Sequence, residues 1–297
     1  MESAEANDRA AFDRLIGELR PKLHRYCARM TGSAIDGEDV VQEALVKALE
    51  AHAATPAVDD PERWLFRVAH NAATDFLRRR GRIGAQRADE DIDMIADPIP
   101  TIEHREAAAA SLRSFMRLPP SQRSSVILMD VLGYTLEEIG AIIGATVPAV
   151  KAALNRGRAR LRQFAQDADD RSVPVLAAAE RSRLAAYVER FNARDFDAIR
   201  DMLAEDVRLD LVSRSRMVGK PEVSRYFANY ASVRDWMLVP GLVDRHPALI
   251  VYDPDDPGGP PKYFIVVAWH GDAVTHIRDF RHARYAIEGA EIVTLGR

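Results

Sequence analysis

Residues 135–163, TLEEIGAIIGATVPAVKAALNRGRARLRQ, admit few folds. Thr135 stands where its hydroxyl can cap a short helix whose Leu136, Ile139, Ile142 and Ile143 share one side, and Gly144 supplies a turn. Thr146 can then cap a longer helix that takes Pro148 into its first turn, where a missing N–H costs nothing. Two capped helices joined by so short a turn form a helix-turn-helix pattern. In the second helix Val147, Val150, Leu154, Gly157 and Leu161 are expected to face inward. Ala149, Lys151, Ala152, Asn155, Arg156, Arg158 and Arg162 remain for a major groove and its phosphates. A helical hairpin that serves only packing is the rival reading. Five basic residues and no acid from Lys151 to Arg162 weigh against it.

A second stretch, Trp64 to Arg82, also divides its residues by helical period. Trp64, Leu65, Val68, Ala69, Ala72, Ala73, Phe76 and Leu77 fall on an apolar face, and Arg67, His70, Asn71, Thr74 and Arg78 on the other. The polar face carries guanidinium, amide, imidazole and hydroxyl groups, which read bases and hold phosphates. Arg79, Arg80 and Arg82 extend it. A solvated basic surface is the plain alternative for such a helix taken alone. Its context matters more: the net charge is -4 over 297 residues, yet Arg63 to Arg87 holds seven arginines against one acid, Asp75. Two separated basic patches in a balanced chain point to two nucleic-acid contacts.

The length allows two or three domains, and 47% hydrophobic with 29% charged residues is ordinary globular composition. No leader pattern or apolar run long enough to span a membrane is present, so a cytoplasmic location is expected. The single cysteine, Cys27, excludes an internal disulfide and a multi-cysteine zinc site. No cofactor or metal is expected. Residues 12–30 carry a helical stripe interrupted by Pro21, which predicts one kinked helix or two short ones. Asp36 stands as an N-cap before EDVVQEALVKALEAH, in which Val41, Leu45, Ala48 and Leu49 form the buried face. Glu38, Asp39, Gln42, Glu43 and Lys47 are left outside, and the acids among them also suit the helix dipole.

After residue 87 an acidic, proline-bearing stretch, ADEDIDMIADPIPTIE, keeps no period and reads as a linker. Helical pattern returns near Glu103, breaks at Pro119 and Pro120, and runs again from Gln122 to Leu132, where Gly133 stops it. A further linker, QDADDRSVPVLAAAE, leads to a helix pair broken near 192–195 and then to alternating strands (VRLDLV, RSRMV, WMLVPGLV, ALIVYD, KYFIVVAWHG, AVTHIRDFRH), with a helix from Lys220 to Tyr230 between them. DPDDPGGPP is a hairpin loop. This order describes an α+β domain with a curved antiparallel sheet.

The succession of DGEDVVQEALVKAL, WLFRVAHNAATDFLRRR, an acidic linker and LPPSQRSSVILMDVLGYTLEEIGAIIGATVPAVKAALNRGRARLR strongly resembles the extracytoplasmic-function group of bacterial RNA polymerase sigma factors. The resemblance implies two all-α domains: region 2 at 1–88, a linker at 89–104 and region 4 at 105–166. It implies binding to core RNA polymerase, at the β′ clamp and β flap, and to promoter DNA. Asp36, Glu38, Asp39, Gln42 and Glu43 fall on its clamp-binding helix. Arg67, His70, Asn71, Thr74, Arg78, Arg79, Arg80 and Arg82 fall on the helix that captures the opened −10 strand. Lys151, Asn155, Arg156, Arg158 and Arg162 fall on the −35 helix. Ala152 and Ala153 depart from the polar residues common there, which shifts weight toward shape and phosphate contacts.

After a linker at 167–182, residues 183–297 resemble the SnoaL-like branch of the nuclear-transport-factor-two superfold, through ERFNARDFDAIRDMLAEDVRLDL and VVAWHGDAVTHIRDFRHARYAI. In a sigma factor that resemblance implies a regulatory domain contacting the sigma domains, with no enzymatic role. Tyr187, Asp210, Arg214, Trp236, His270 and Asp279 are its candidate pocket groups, able to take a small ligand. His270 and His276 have no third ligand at metal spacing. The rival readings are a helix-turn-helix regulator acting without polymerase, and a SnoaL-like ligand-binding protein or enzyme carrying a DNA-binding arm.

Overall fold

The computed structural model describes residues 2–54, 59–83, 111–166 and 176–295. They divide into two units, 1–169 and 170–297. The acidic stretch at 89–104 lies outside the described residues, as do 167–175 of the second linker.

Among the described residues of the first unit the regular elements are all helices. Helix α1 (Glu2–Thr31) runs through Pro21 without a break, because Leu19 and Leu23 are buried on either side of it and packing carries the helix across. Helix α2 (Ala34–Ala54) begins earlier than its acids predict: Ser33 Oγ accepts the Asp36 N–H at 3.2 Å, so Ser33 does the capping and Asp36 lies in the first turn. Helix α3 (Pro61–Ile83) takes proline at its first position, and Asp60 accepts the Arg63 N–H at 2.9 Å. Leu65, Ala69, Ala72 and Ala73 are buried as their period predicts. Phe66, on neither predicted face, is fully buried as well, edge-on to both Tyr26 and Tyr134. Leu49 is 37% exposed rather than buried, and Val46 beside it is 54% exposed, because the core contacts of α2 are made by Val40, Val41, Ala44, Leu45 and Ala48.

Short helices α4 (Leu112–Met116) and α5 (Pro120–Val126) follow, and α5 continues as a π-helical turn over Ile127–Val131. Gly133, at φ 79°, ends it. The expected hairpin is present as α6 (Leu136–Ile143) and α7 (Val147–Gln166). Thr135 and Glu138 form a reciprocal capping box on α6, and Gly144 adopts φ 72°, the left-handed conformation that a side chain would oppose. Thr146 accepts the Ala149 N–H at 3.4 Å. Val150 and Leu154 are buried, whereas Val147, placed in the first turn and clear of the core, is 36% exposed.

The second unit starts with α8 (Ala178–Asn192) and α9 (Phe196–Asp201). Strands β1 (Leu203–Leu211) and β2 (Ser215–Val218) lead to α10 (Lys220–Ser224) and α11 (Tyr226–Ser232), two short helices where one was expected. Then come β3 (Met237–Val243), β4 (His246–Tyr252), β5 (Tyr263–His270), β6 (Ala273–Asp279), a 3₁₀ turn at Arg284–Ile287 and β7 (Ile292–Thr294). The sheet order is β2-β1-β6-β5-β4-β3-β7. It departs from an all-antiparallel sheet at one place: β1 pairs parallel to β6, with Leu209 opposite Ile277. Two helices and four strands separate β1 from β6 in the chain, so β6 can enter beside it in the same direction. Leu184, Tyr187 and Phe191 of α8 pack with Leu209, Tyr263, Ile265 and Ile277 in one apolar core. Phe264, its ring tilted against that of Phe280 with centroids 4.3 Å apart, points to the opposite face, so β5 is buried on both sides and reads as an unbroken apolar run.

Candidate nucleic-acid interface

Along α3 the polar face is graded. Asn71, Arg78, Arg79 and Arg80 are exposed. His70 is half-buried, with Nδ1 2.7 Å from Tyr26 Oη, and burial lowers its pKa to about 4. A neutral imidazole accepting the Tyr26 proton carries its own on Nε2. Thr74 turns its hydroxyl back onto the His70 carbonyl at 2.8 Å, which leaves it less to offer a ligand. Arg67 donates Nε to the Ala141 carbonyl of α6 at 3.0 Å, and its Nη2 donates to the same oxygen. The Arg82 side chain lies outside the described set.

The acids of α2 face those arginines. Arg79 bonds Glu43 at 2.7 Å, Arg80 bonds Asp36, and Lys47 reaches Glu43 at 2.8 Å. Hydrogen bonds from Arg79 and Lys47 hold the Glu43 carboxyl below its usual range. Gln42 is half-buried and Asp39 exposed. Glu38 does not share this surface: it is fully buried and paired with Arg20, so the sequence pattern that placed it outside is corrected. The exposed side of α2 is instead completed by Val46 and Leu49.

On α7, Lys151 and Arg162 are exposed, and Asn155 and Arg156 are half-buried. Arg158 is a second correction. Its side chain is 6% exposed and its guanidinium clasps Asp130, whose side chain is 0% exposed, with Nε 2.9 Å from Oδ2. It is a strut between α7 and the π-helical turn. A buried carboxylate there requires a cation, and Arg158 is the basic residue of α7 that lies toward it.

The six candidate pocket residues of the second unit part company. A cavity of about 450 Å³ is lined by Arg214, Met217, Tyr226, Tyr230, Asp279 and Arg281, among others. Asp279 is fully buried and accepts Tyr226 Oη and Tyr230 Oη at 2.8 Å each and the Arg281 N–H at 2.8 Å. Burial raises its pKa while these donors oppose the rise. Arg281 in turn holds Asp235 and Tyr263. Tyr187 and Trp236 belong to the aromatic core. Asp210 sits on the sheet with His276 at 3.0 Å and Arg216 at 3.2 Å, and the His276 hydrogen bond lowers its pKa. His270 is exposed at the end of β5. Strand alternation sends Asp210 and Leu209 to opposite faces, which is why the run RLDLV could not say which side held the cavity. Tyr226 and Tyr230 were missed. Their i, i+4 spacing four dozen residues before Asp279 was the available signal.

Residues 15–83 match Sigma-70 region 2, and residues 112–161 match Sigma-70, region 4. The ECF RNA polymerase sigma factor SigE of Mycolicibacterium smegmatis is 34% identical over 158 residues, covering 52% of this chain and 61% of SigE, so the chain spans less than two thirds of that relative. The ECF RNA polymerase sigma factor SigM of Mycobacterium tuberculosis is 32% identical over 159 residues, covering 54% of this chain and 79% of SigM. Among solved structures, the Mycobacterium tuberculosis extracytoplasmic function sigma factor SigJ aligns over 88% of this chain and 93% of its own, at 19% identity and a TM-score of 0.34.

Proposed function

Because the chain belongs to the extracytoplasmic-function RNA polymerase sigma factors, we propose that it binds core RNA polymerase, directs it to promoters and helps open DNA in the cytoplasm, with no covalent chemistry of its own. The observation that carries this reading is the pairing of an acidic, partly apolar surface on α2 with the exposed Asn71 and arginines of α3, inside the stretch that matches region 2. Asp36, Asp39, Gln42 and Glu43, with Val46 and Leu49, meet the β′ clamp. Asn71, assisted by His70 and Arg78–Arg80, reads a base removed from the stack. Region 4 uses Lys151, Asn155, Arg156 and Arg162 at the −35 element and engages the β flap.

The C-terminal domain modulates these contacts. Asp279 supports an anchoring role rather than a catalytic one, since the protein itself supplies three donors to its two oxygens. The cavity of about 450 Å³ favours a second property, a small effector bound by this domain, and lies within the size range of ligand pockets. The deciding experiment is co-purification of the full chain with core polymerase, followed by run-off transcription with the full chain and with residues 1–169. Sequence-specific duplex binding with no affinity for core enzyme would overturn the sigma reading. Equal activity and core affinity of the two forms would overturn the modulating role.

A further inference from the structure

The cavity of the second unit has a polar rim that the sheet itself assembles. Strands β1 and β6 pair in parallel, with Leu211 opposite Asp279, so both end at the same edge of the sheet. The Val212 N–H donates to the Asp279 carbonyl at 3.0 Å and ties the two chain ends together there. After β1 the chain turns through a left-handed Ser213 at φ 69°, and the Arg214 N–H donates to the Leu211 carbonyl at 2.9 Å. After β6 a turn closed by the Ala283 N–H on the Phe280 carbonyl, at 2.9 Å, presents Arg281 and His282. Arg214 and His282 thereby meet at the cavity although 68 residues separate them in the chain.

The charges at this rim are not equally committed. Arg281 gives its guanidinium to Asp235 at 2.9 Å and to the Tyr263 hydroxyl at 3.0 Å. Asp279 is held by Tyr226, Tyr230 and the Arg281 N–H. Arg214 instead meets an imidazole, with Nη1 3.1 Å from His282 Nε2. A guanidinium can only donate, so Nε2 accepts and the neutral ring carries its proton on Nδ1. Burial, and after it the Arg214 charge, lower the His282 pKa, in keeping with that form. Among the described residues no carboxylate pairs with Arg214. The rest of the wall is largely apolar: Leu211, Met217 and Val233 line it, with Tyr226 and Tyr230, whose hydroxyls Asp279 already holds.

Resting on the reading that this domain takes a small effector, we propose that the effector is a carboxylic acid with an aromatic or branched apolar body, its carboxylate held by Arg214 and its body against Met217 and Val233. One uncommitted cation suits one negative charge, and the planar fork suits a carboxylate. A bare inorganic anion would leave the apolar wall unused. A neutral ligand would shield the guanidinium from water without a counter-charge.

Isothermal titration calorimetry of the full chain with benzoate and 2-naphthoate, each set against its neutral amide, tests this. Each acid should bind at least about ten-fold more tightly than its amide, and 2-naphthoate more tightly than benzoate. Arg214→Gln, at an exposed position, should weaken the acids alone and bring acid and amide to about equal affinity. Arg216→Gln, whose arginine pairs with Asp210 away from the cavity, should leave the gap unchanged. Acid and amide binding alike to the unaltered chain, a gap that survives Arg214→Gln, or inorganic phosphate displacing 2-naphthoate at equal concentration would overturn the carboxylate assignment and leave the effector reading standing. Binding of neither acid nor amide up to about 10 mM would overturn the effector reading itself.

Discussion

Arg158→Ala separates two roles that one arginine can hold on a recognition helix. In the structure Arg158 and Asp130 face each other with side chains 6% and 0% exposed. Truncating the arginine leaves the carboxylate buried without its counter-ion, a change that typically costs about 3–5 kcal/mol. For a unit of this size each kcal/mol moves the melting point by about 2–4 °C, so a loss of about 6–20 °C is expected. That is a large share of the roughly 5–15 kcal/mol that holds a domain folded. The assay is urea and thermal unfolding of the full chain at 222 nm, where the helices of the first unit dominate. Arg158→Met combined with Asp130→Leu should recover most of the loss, because a well-packed apolar pair replaces a buried ion pair at little cost. The reasoning fails if Arg158→Ala moves stability by less than about 0.5 kcal/mol and instead reduces the salt dependence of −35 binding by about one unit of slope.

Asn71→Ala should lower discrimination at one −10 position by about 1–3 kcal/mol, read from run-off transcription on promoters substituted base by base; an equal loss on every promoter would refute base reading. His70 has its pKa lowered to about 4 in the folded state, so below the ordinary value of 6.5 only the unfolded chain takes up the proton. Stability should therefore fall as pH drops from about 6.5 to 4, by up to about 3 kcal/mol, and His70→Gln should flatten that part of the urea-midpoint profile. Asp279→Ala leaves the buried Tyr226 and Tyr230 hydroxyls without their carboxylate acceptor and should destabilise the second unit by about 2–5 kcal/mol, seen in near-ultraviolet melting.

Short-range signals were the legible ones. The hydroxyl caps at Thr135 and Thr146, the glycine turn and the apolar period of α3 are each decided within a few residues, and the fold keeps them. Burial of polar groups was not legible, because it depends on what arrives from elsewhere in the chain. Glu38 and Arg158 occupy positions that helical period leaves open, and only the approach of Arg20 and Asp130 turns them inward. The same applies to the cavity: Asp279 was singled out as a carboxylate in a strand, but its tyrosine donors come from a helix some fifty residues earlier. The parallel pairing of β1 with β6 follows from a crossover whose length the sequence shows but whose direction it does not.

The ion pairs between α2 and α3 bear on how this protein is seen from far away. Arg79 with Glu43 and Arg80 with Asp36 bring opposite charges into contact on a chain whose net charge is -4. At physiological ionic strength the field of any exposed charge fades over about 8 Å, and paired charges cancel sooner. A duplex drifting toward this surface therefore feels almost no attraction until the two molecules touch. Diffusional capture of DNA by this face should be slow, free of the long-range steering that a uniformly basic helix would exert.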